Sequence, residues 1–406
     1  MNIHRETNAA RDPLEQVQAT FGAPGRVTFF RGNGGLEMAL LQTVYGSCAE
    51  VCFFGAQVLS WQPAHASKPL LFVSREAILD RKRPIRGGVP VCWPQFSKYG
   101  PLSQQHGYAR NVTWEVIYAD GENDDGPLIV FRMPQLSVAN WAALMATQTA
   151  PPPAPPPSMS SSPSTAVVSV SPSPPPASAR DGDERYAERD GRRSPSTLHP
   201  PTTVHQLQNA EVQLLVQLGA STGDLMLRLQ VVHTGAGGAE PLEFTAALHA
   251  YLAVADVDAV RVTGLSGCEY IDQADRGSCK TDAEPAVVFR DQVDRVYCRR
   301  LPSAGDTDGS RPQTEQTVTV ECDDLVNSRI RVRTRHHEFP DVVVWNPGPQ
   351  KAHEMIDLGD TEWRSMVCIE PAVIREPVRL HRGERWCGTA VWQYECDERR
   401  LLDADR

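Results

Sequence analysis

VQLLVQLGASTGDLMLRLQV, residues 212–231, decides the fold class. Val212, Leu214 and Val216 recur at every second position, and so do Leu225, Leu227, Leu229 and Val231. A period of two is the side-chain repeat of a strand with one buried face. Gly219 to Asp224 separates the two runs with turn-forming residues, so the stretch predicts an antiparallel hairpin. Outward from it the pattern stays the same. From Val27 to Phe72 short apolar runs are broken by Gly, Ser and Pro, and Gly55–Trp61 and Leu70–Ser74 read as strands. Leu128–Phe131 reads as another. Arg31-Gly32-Asn33-Gly34-Gly35 leads into Leu36-Glu37-Met38-Ala39-Leu40, which fits a hairpin turn into a strand better than a phosphate loop. Helical signals are few; Pro347 to Met355 has room for one turn. The expectation is an all-β, mostly antiparallel fold, and periodicity alone does not choose between sandwich and barrel.

Composition sets the domain plan. With 406 residues the chain can hold one large β domain or two ordinary ones. Residues 1–26 are polar and unpatterned and read as a loose tail. From about Ala142 to Gln206 the chain is dominated by Pro, Ser, Ala and Thr. Such a stretch buries too little apolar surface to offset chain entropy, so it reads as a disordered insertion in a surface loop. Strand patterns on both sides argue for a single domain, 27–406, interrupted at 142–206. A Pro/Ser-rich segment can dock a protein partner or be phosphorylated, and composition singles out neither. Ser303–Gln313 reads as a second polar loop.

Several function classes drop out. The net charge of −10 argues against nucleic acid or a polybasic membrane contact as the main role. The N-terminus has no apolar signal core, and no run of about 18 apolar residues exists to span a membrane. Ten cysteines are scattered without a paired metal-binding spacing, so they read as reduced thiols in a cytoplasmic protein, without structural zinc. Adjacent His336-His337 point to opposite faces of a strand and lack a third ligand. No nucleophile elbow is present.

Chemistry concentrates in four places. PIRGGVPVCWPQFSKYGPLSQQHGYARNVTW, residues 84–114, sets Arg86, Gln105, His106 and Arg110 among glycines, prolines and aromatics. Arginine offers a planar fork that fits phosphate or carboxylate oxygens. The stretch reads either as a rigid anion-binding loop or as surface arginines flanking turns. His249 stands inside Phe244–Leu252; a lone histidine in an apolar strand is ordinarily a core residue. Glu370 follows Val367-Cys368-Ile369, which favours burial and a raised pKa, or else a strand end facing water. Asp294, in Gln292-Val293-Asp294-Arg295-Val296-Tyr297, reads alone as a strand-edge aspartate.

Together these stretches resemble the glucose-6-phosphate 1-epimerases (hexose-6-phosphate mutarotases) of the galactose mutarotase-like group. The likeness rests on Arg-Gly-Gly-Val-Pro-Val-Cys-Trp-Pro-Gln-Phe from Arg86, Gln-His-Gly-Tyr-Ala-Arg-Asn from Gln105, and Leu248-His249-Ala250-Tyr251-Leu252. It continues through Asp294 and Asp341-Val342-Val343-Val344-Trp345-Asn346-Pro347 to Lys351, Asp357 and Glu370. It spans about residues 27–140 and 207–395. Ala250 and Leu252 replace the usual Thr and Phe. Gly348 replaces the usual aromatic, which is expected to loosen that loop. The resemblance implies a β-sandwich that interconverts the α and β anomers of hexose 6-phosphates, glucose 6-phosphate foremost, without metal or cofactor. It implies His249 as acid and Glu370 as base, Arg86 and Arg110 on the phosphate, and Gln105 and Asp294 on sugar hydroxyls. The alternatives are an aldose 1-epimerase for unphosphorylated sugar, a non-catalytic sugar-phosphate-binding module, and a scaffold acting through its insertion.

Overall fold

The computed structural model describes residues 12–100, 102–135, 204–237, 239–298, 315–322, 328–335 and 338–396. The predicted hairpin is present. Ala210–Leu218 and Leu225–His233 pair antiparallel, with Val212 opposite Val231, Leu214 opposite Leu229 and Val216 opposite Leu227. All six side chains are buried, so one face of this ribbon belongs to the core. The hairpin lies within an eight-stranded sheet whose order is Val260–Thr263, Glu315–Cys322, Ser328–Arg335, Arg385–Glu395, Leu225–His233, Ala210–Leu218, Leu128–Arg132 and Glu115–Asp120.

A second eight-stranded sheet carries the chemistry. Its order is Ser278–Thr281, Glu269–Asp272, Val293–Cys298, Asp341–Asn346, Met366–Leu380, Leu242–Leu248 and Val91–Cys92, and Ala250–Ala253 also pairs with Met366–Leu380. Its pairings are all antiparallel. The two eight-stranded sheets form a β-sandwich. Between the two sheets, Phe244 meets Trp386 edge to face at 5.6 Å, and Trp386 in turn meets Phe339 at 5.4 Å. A four-stranded sheet, Val27–Arg31, Glu37–Gln42, Cys48–Cys52 and Gln57–Gln62, completes the strands. Its buried Trp61 donates an indole N–H to the Gly223 carbonyl at 2.7 Å, which ties this sheet to the turn of the hairpin. Trp61→Phe keeps an aromatic there but leaves that carbonyl unpaired. The expected cost is about 1–3 kcal/mol, read from urea unfolding.

Four expectations need correction. Residues 13–21 of the predicted loose tail form an α-helix, Pro13–Phe21. Asp12 caps it by accepting from Leu14 N at 3.0 Å and pairs with Arg31, while Leu14 is buried and Gln18 accepts from Phe29 N at 2.7 Å. Leu70–Ser74 is not a ladder strand but makes isolated bridges, Leu71 with Leu252 and Val73 with Gly87. Its backbone is shared between two neighbours: Phe72 N donates to Tyr251 O, and Gly88 N donates to Phe72 O. The end of the predicted insertion is ordered as a short helix, Val204–Leu207; the rest of it lies outside the described residues, as do residues 1–11, Ser303–Gln313 and His336–His337. Gly348 does not loosen its loop. It is buried at φ +63, and a Cβ there would sit 2.7 Å from Gln292 N, so the close backbone approach excludes a side chain. Among the described residues no helix is long and apolar enough to cross a membrane.

Candidate active site

The site lies on the second sheet where four strands bring one face together. Met366–Leu380 pairs Ile369 with Ala250, Cys368 with Tyr251 and Glu370 with Val343. His249 precedes Ala250 and Glu370 follows Ile369, so antiparallel register sets these two titratable side chains across from each other. His249 Nδ1 lies 3.4 Å from Glu370 Oε1. Both residues are buried, at 6% and 1% exposure. Neither His249 Nδ1 nor Glu370 Oε2 has a hydrogen-bond partner. Unpaired buried polar atoms are costly in a core that has no use for them.

Around this pair the walls are aromatic. The Tyr251 ring stacks on the His249 ring at 4.8 Å with 8° between planes. Trp345 meets both edge to face, at 5.9 Å from His249 and 6.0 Å from Tyr251, and His106 meets His249 at 5.5 Å. Asp294 faces Trp345 across the Val293–Cys298 and Asp341–Asn346 ladder. Burial and the nearby Asp272 push Asp294 up to about 6.

The 84–114 stretch forms the cationic side. Val91–Cys92 joins the sheet beside Leu242–Leu248, and His249 N donates to Pro90 O at 3.0 Å, so this loop runs directly beside the segment that holds His249. Buried Gln95 holds the loop's shape: its amide donates to the carbonyls of Ser97, Leu102 and Gln104 and accepts from Leu102 N. Gly107 sits at φ +70, where a Cβ would come within 2.1 Å of Trp93 O; only glycine lets those two segments touch. His106 is also left-handed, at φ +66, and its Nδ1 accepts from Ser97 N at 3.2 Å. Trp114 Nε1 donates to Ala109 O and fixes the 3₁₀ turn that carries Arg110.

Arg86 donates Nη1–H to the Tyr251 hydroxyl at 2.8 Å and Nη2–H to Asp357 at 3.1 Å. Arg110 donates Nη2–H to the Gln105 carbonyl at 3.0 Å and has no carboxylate partner among the described residues. The Nε of each arginine is buried and unpartnered. Both charges reach the pair. Burial, then Arg110, then Arg86 hold His249 well below its ordinary 6.5. Burial and then Asp294 hold Glu370 well above 4.5, with Arg110 opposing. Both shifts run toward the neutral forms, imidazole and carboxylic acid.

Of the residues expected from sequence, Arg86, Arg110, His249, Asp294 and Glu370 converge. Gln105 is exposed and meets the others through its backbone carbonyl. Tyr251, Trp345, Asp357 and Gln95 complete the surroundings. A glutamine inside Trp-Pro-Gln-Phe was the available signal for a buried organiser. His249, Cys368 and Glu370 each bring a ligand atom within 4.8 Å of the others. Burial keeps the Cys368 thiol protonated, however, and two neighbouring guanidiniums oppose a cation, so the local field suits an anion.

The sequence matches the Aldose 1-epimerase family over residues 38–137 and 197–392. A protein of Cenchrus ciliaris described as "Putative glucose-6-phosphate 1-epimerase" is 32% identical over 354 residues, covering 87% of this chain and 83% of its own. An Escherichia coli protein of the same description is 26% identical, covering 80% of each. Among solved structures, a "putative mutarotase" of Salmonella typhimurium aligns with a TM-score of 0.62 at 21% identity over 92% of this chain and 94% of that one. A galactose mutarotase-like protein of Clostridium acetobutylicum aligns at 0.58 and 14% identity, over 91% and 98%.

Proposed function

This chain belongs to the aldose 1-epimerase family, and we propose that it interconverts the α and β anomers of a hexose 6-phosphate, with glucose 6-phosphate the leading substrate. The observation that carries the substrate class is the pair of guanidiniums with buried, unpartnered Nε atoms beside an unpaired His–Glu couple. Two guanidiniums with one carboxylate, Asp357, between them leave a positive excess that an anionic ligand would balance.

In the proposed mechanism the reaction follows from the arrangement. Ring opening breaks C1–O5, gives a proton to O5 and takes one from the C1 hydroxyl, leaving an aldehyde. Reclosure on the other face reverses both transfers. The ring oxygen is bonded to C5, which carries the phosphorylated C6. A phosphate held by Arg86 and Arg110 therefore brings O5 toward His249, the member of the pair coupled to both arginines, and leaves the C1 hydroxyl for Glu370. Asp294 accepts from sugar hydroxyls, and Gln105 serves at the rim. Two positioned proton-transfer groups contribute about 10²–10⁴-fold. The same reading treats 27–406 as one epimerase domain with an insertion at 142–206; the family match stops at 137 and resumes at 197. A sugar phosphate does not cross membranes unaided, so the reading places the enzyme in the cytoplasm.

Polarimetric or NMR-exchange rates on glucose 6-phosphate and glucose test this directly. Glucose 6-phosphate is expected to react far faster; equal rates would favour the aldose 1-epimerase alternative. The pH profile is a second check. The pair works with one proton between its members, so kcat/KM should be bell-shaped. A second proton stops it on the acid side, below the 6.5 of free imidazole, because burial and both arginines disfavour imidazolium. Loss of the last proton stops it on the alkaline side, above 4.5, because burial and Asp294 disfavour carboxylate. Asp294→Asn removes that second contribution and should move the alkaline limb to lower pH.

A further inference from the structure

We propose that the phosphate dianion activates the acid–base pair as well as anchoring the substrate, acting through Arg86 and His249 with Tyr251 as the positioning residue between them. This rests on the substrate reading above. The geometry is a continuous chain. Arg86 Nη1–H donates to the Tyr251 hydroxyl at 2.8 Å, and the Tyr251 ring lies flat against the His249 ring at 4.8 Å and 8°. Backbone bonds clamp the two ends together: Tyr251 N donates to Gly88 O, two residues from Arg86, and Phe72 N donates to Tyr251 O. Arg86 and its loop are thus hydrogen-bonded to Tyr251, two residues from His249.

The charge balance gives the chain something to transmit. Two guanidiniums face one carboxylate, Asp357, so the cradle's own side chains have an excess positive charge that acts on His249. That excess disfavours imidazolium, while burial and Asp294 disfavour the Glu370 carboxylate. A bound phosphate carries about −1.5 to −2 charge and reverses the sign of the cradle. The proton then shifts to His249 and Glu370 becomes carboxylate, which is the state ring opening requires: a protonated group at O5 and a base at the C1 hydroxyl. An unphosphorylated sugar fills the same pocket without setting that state. Selectivity thereby appears in kcat as well as in KM, because binding energy is used at the reacting groups.

A substrate cut into two pieces tests this. D-Xylose is glucose without C6, and inorganic phosphite replaces the missing dianion. The enzyme-catalysed anomerisation of xylose, after subtraction of the rate with phosphite alone, is expected to rise about tenfold or more on adding phosphite, the effect of one pKa unit on the pair. His249 imidazole ¹⁵N resonances should move toward the imidazolium pattern in the same titration. Tyr251→Phe keeps the stacked ring and loses the hydroxyl, so it should lower the ratio of rates with and without phosphite and weaken the resonance shift. Phosphite that inhibits glucose 6-phosphate turnover competitively yet leaves xylose unaccelerated would show an anchor only, and would overturn the proposal. Failure of phosphite to compete at all counts against it too. If glucose 6-phosphate itself reacts no faster than glucose, the substrate reading fails first, and the two failures are told apart in one set of assays.

Discussion

Glu370→Gln is expected to lower kcat by about 10²–10⁴-fold and, near neutral pH, to raise the melting temperature. The activity loss follows from removing one of two proton carriers while keeping the shape of the side chain. The stability gain follows from burial. Glu370 is 1% exposed, its Oε2 has no partner, and burial with Asp294 nearby holds it well above 4.5. Well below pH 4.5 the folded and unfolded chains both carry the proton, and ionisation contributes nothing to the stability difference. As the pH rises the unfolded chain loses its proton first, so native stability falls until the raised pKa is passed. Glutamine has no proton to lose and escapes that fall. Melting curves of the two proteins should therefore coincide in acid and separate toward neutrality, with the variant higher. A variant that melts lower than the wild type at about pH 7 would mean that Glu370 is ionised and paired with His249 in the folded protein. Sites that shift pKa values for chemistry commonly cost stability in this way.

How far the sequence reaches can be judged from particular residues. The 212–231 hairpin is legible because one face is fully buried and the period of two has nothing to compete with it. The helix Pro13–Phe21 was legible too, in Asp12 as cap, Pro13 at the first turn, Glu15 in that turn and Gly22 at the end, but polarity outweighed those signals. Leu70–Ser74 shows the opposite error: an apolar run whose hydrogen bonds are divided between Tyr251 and Gly88 instead of one partner strand. No local rule reveals that. In the site, single residues were visible only through resemblance. Position 249 in an apolar strand has the same periodicity whether it is core or catalyst. The convergence of Arg86, Tyr251, His249 and Glu370 depends on register between segments more than a hundred residues apart, which periodicity within one segment does not encode. Gly348 is instructive for the same reason. From sequence it is a missing aromatic; in the fold it is the position where the chain touches the backbone of Gln292.

Arg110→Met should cut kcat/KM for glucose 6-phosphate by about 30-fold to several thousandfold, the equivalent of roughly 2–5 kcal/mol for a lost buried charge pair. The loss for glucose should be far smaller. Methionine keeps the length and apolar packing of the stem and removes only the charge and its donors. The asymmetry between substrates is what matters. Among the described residues the Arg110 guanidinium makes one hydrogen bond, to the Gln105 carbonyl, and its Nε is buried without a partner. Burial lowers its pKa from 12.5, with Cys92 opposing and Arg86 adding to the shift, so the fold holds this charge at a cost. A residue kept for structure would lose stability on substitution and would affect both sugars alike. One kept for an anion should discriminate between them, and removing it should leave the fold no less stable in urea. Arg110→Lys is expected to restore only part of the loss, since an ammonium cannot present the planar fork. The pH profile gives an independent reading of the same charge. Arg110 is the largest electrostatic influence holding His249 below 6.5, after burial itself. Without it imidazolium is less disfavoured, so the acid limb of kcat/KM should move to higher pH. If the limb stays in place while phosphate selectivity falls, Arg110 binds the substrate without tuning the acid; if both change together, the cradle and the proton carrier work as one unit.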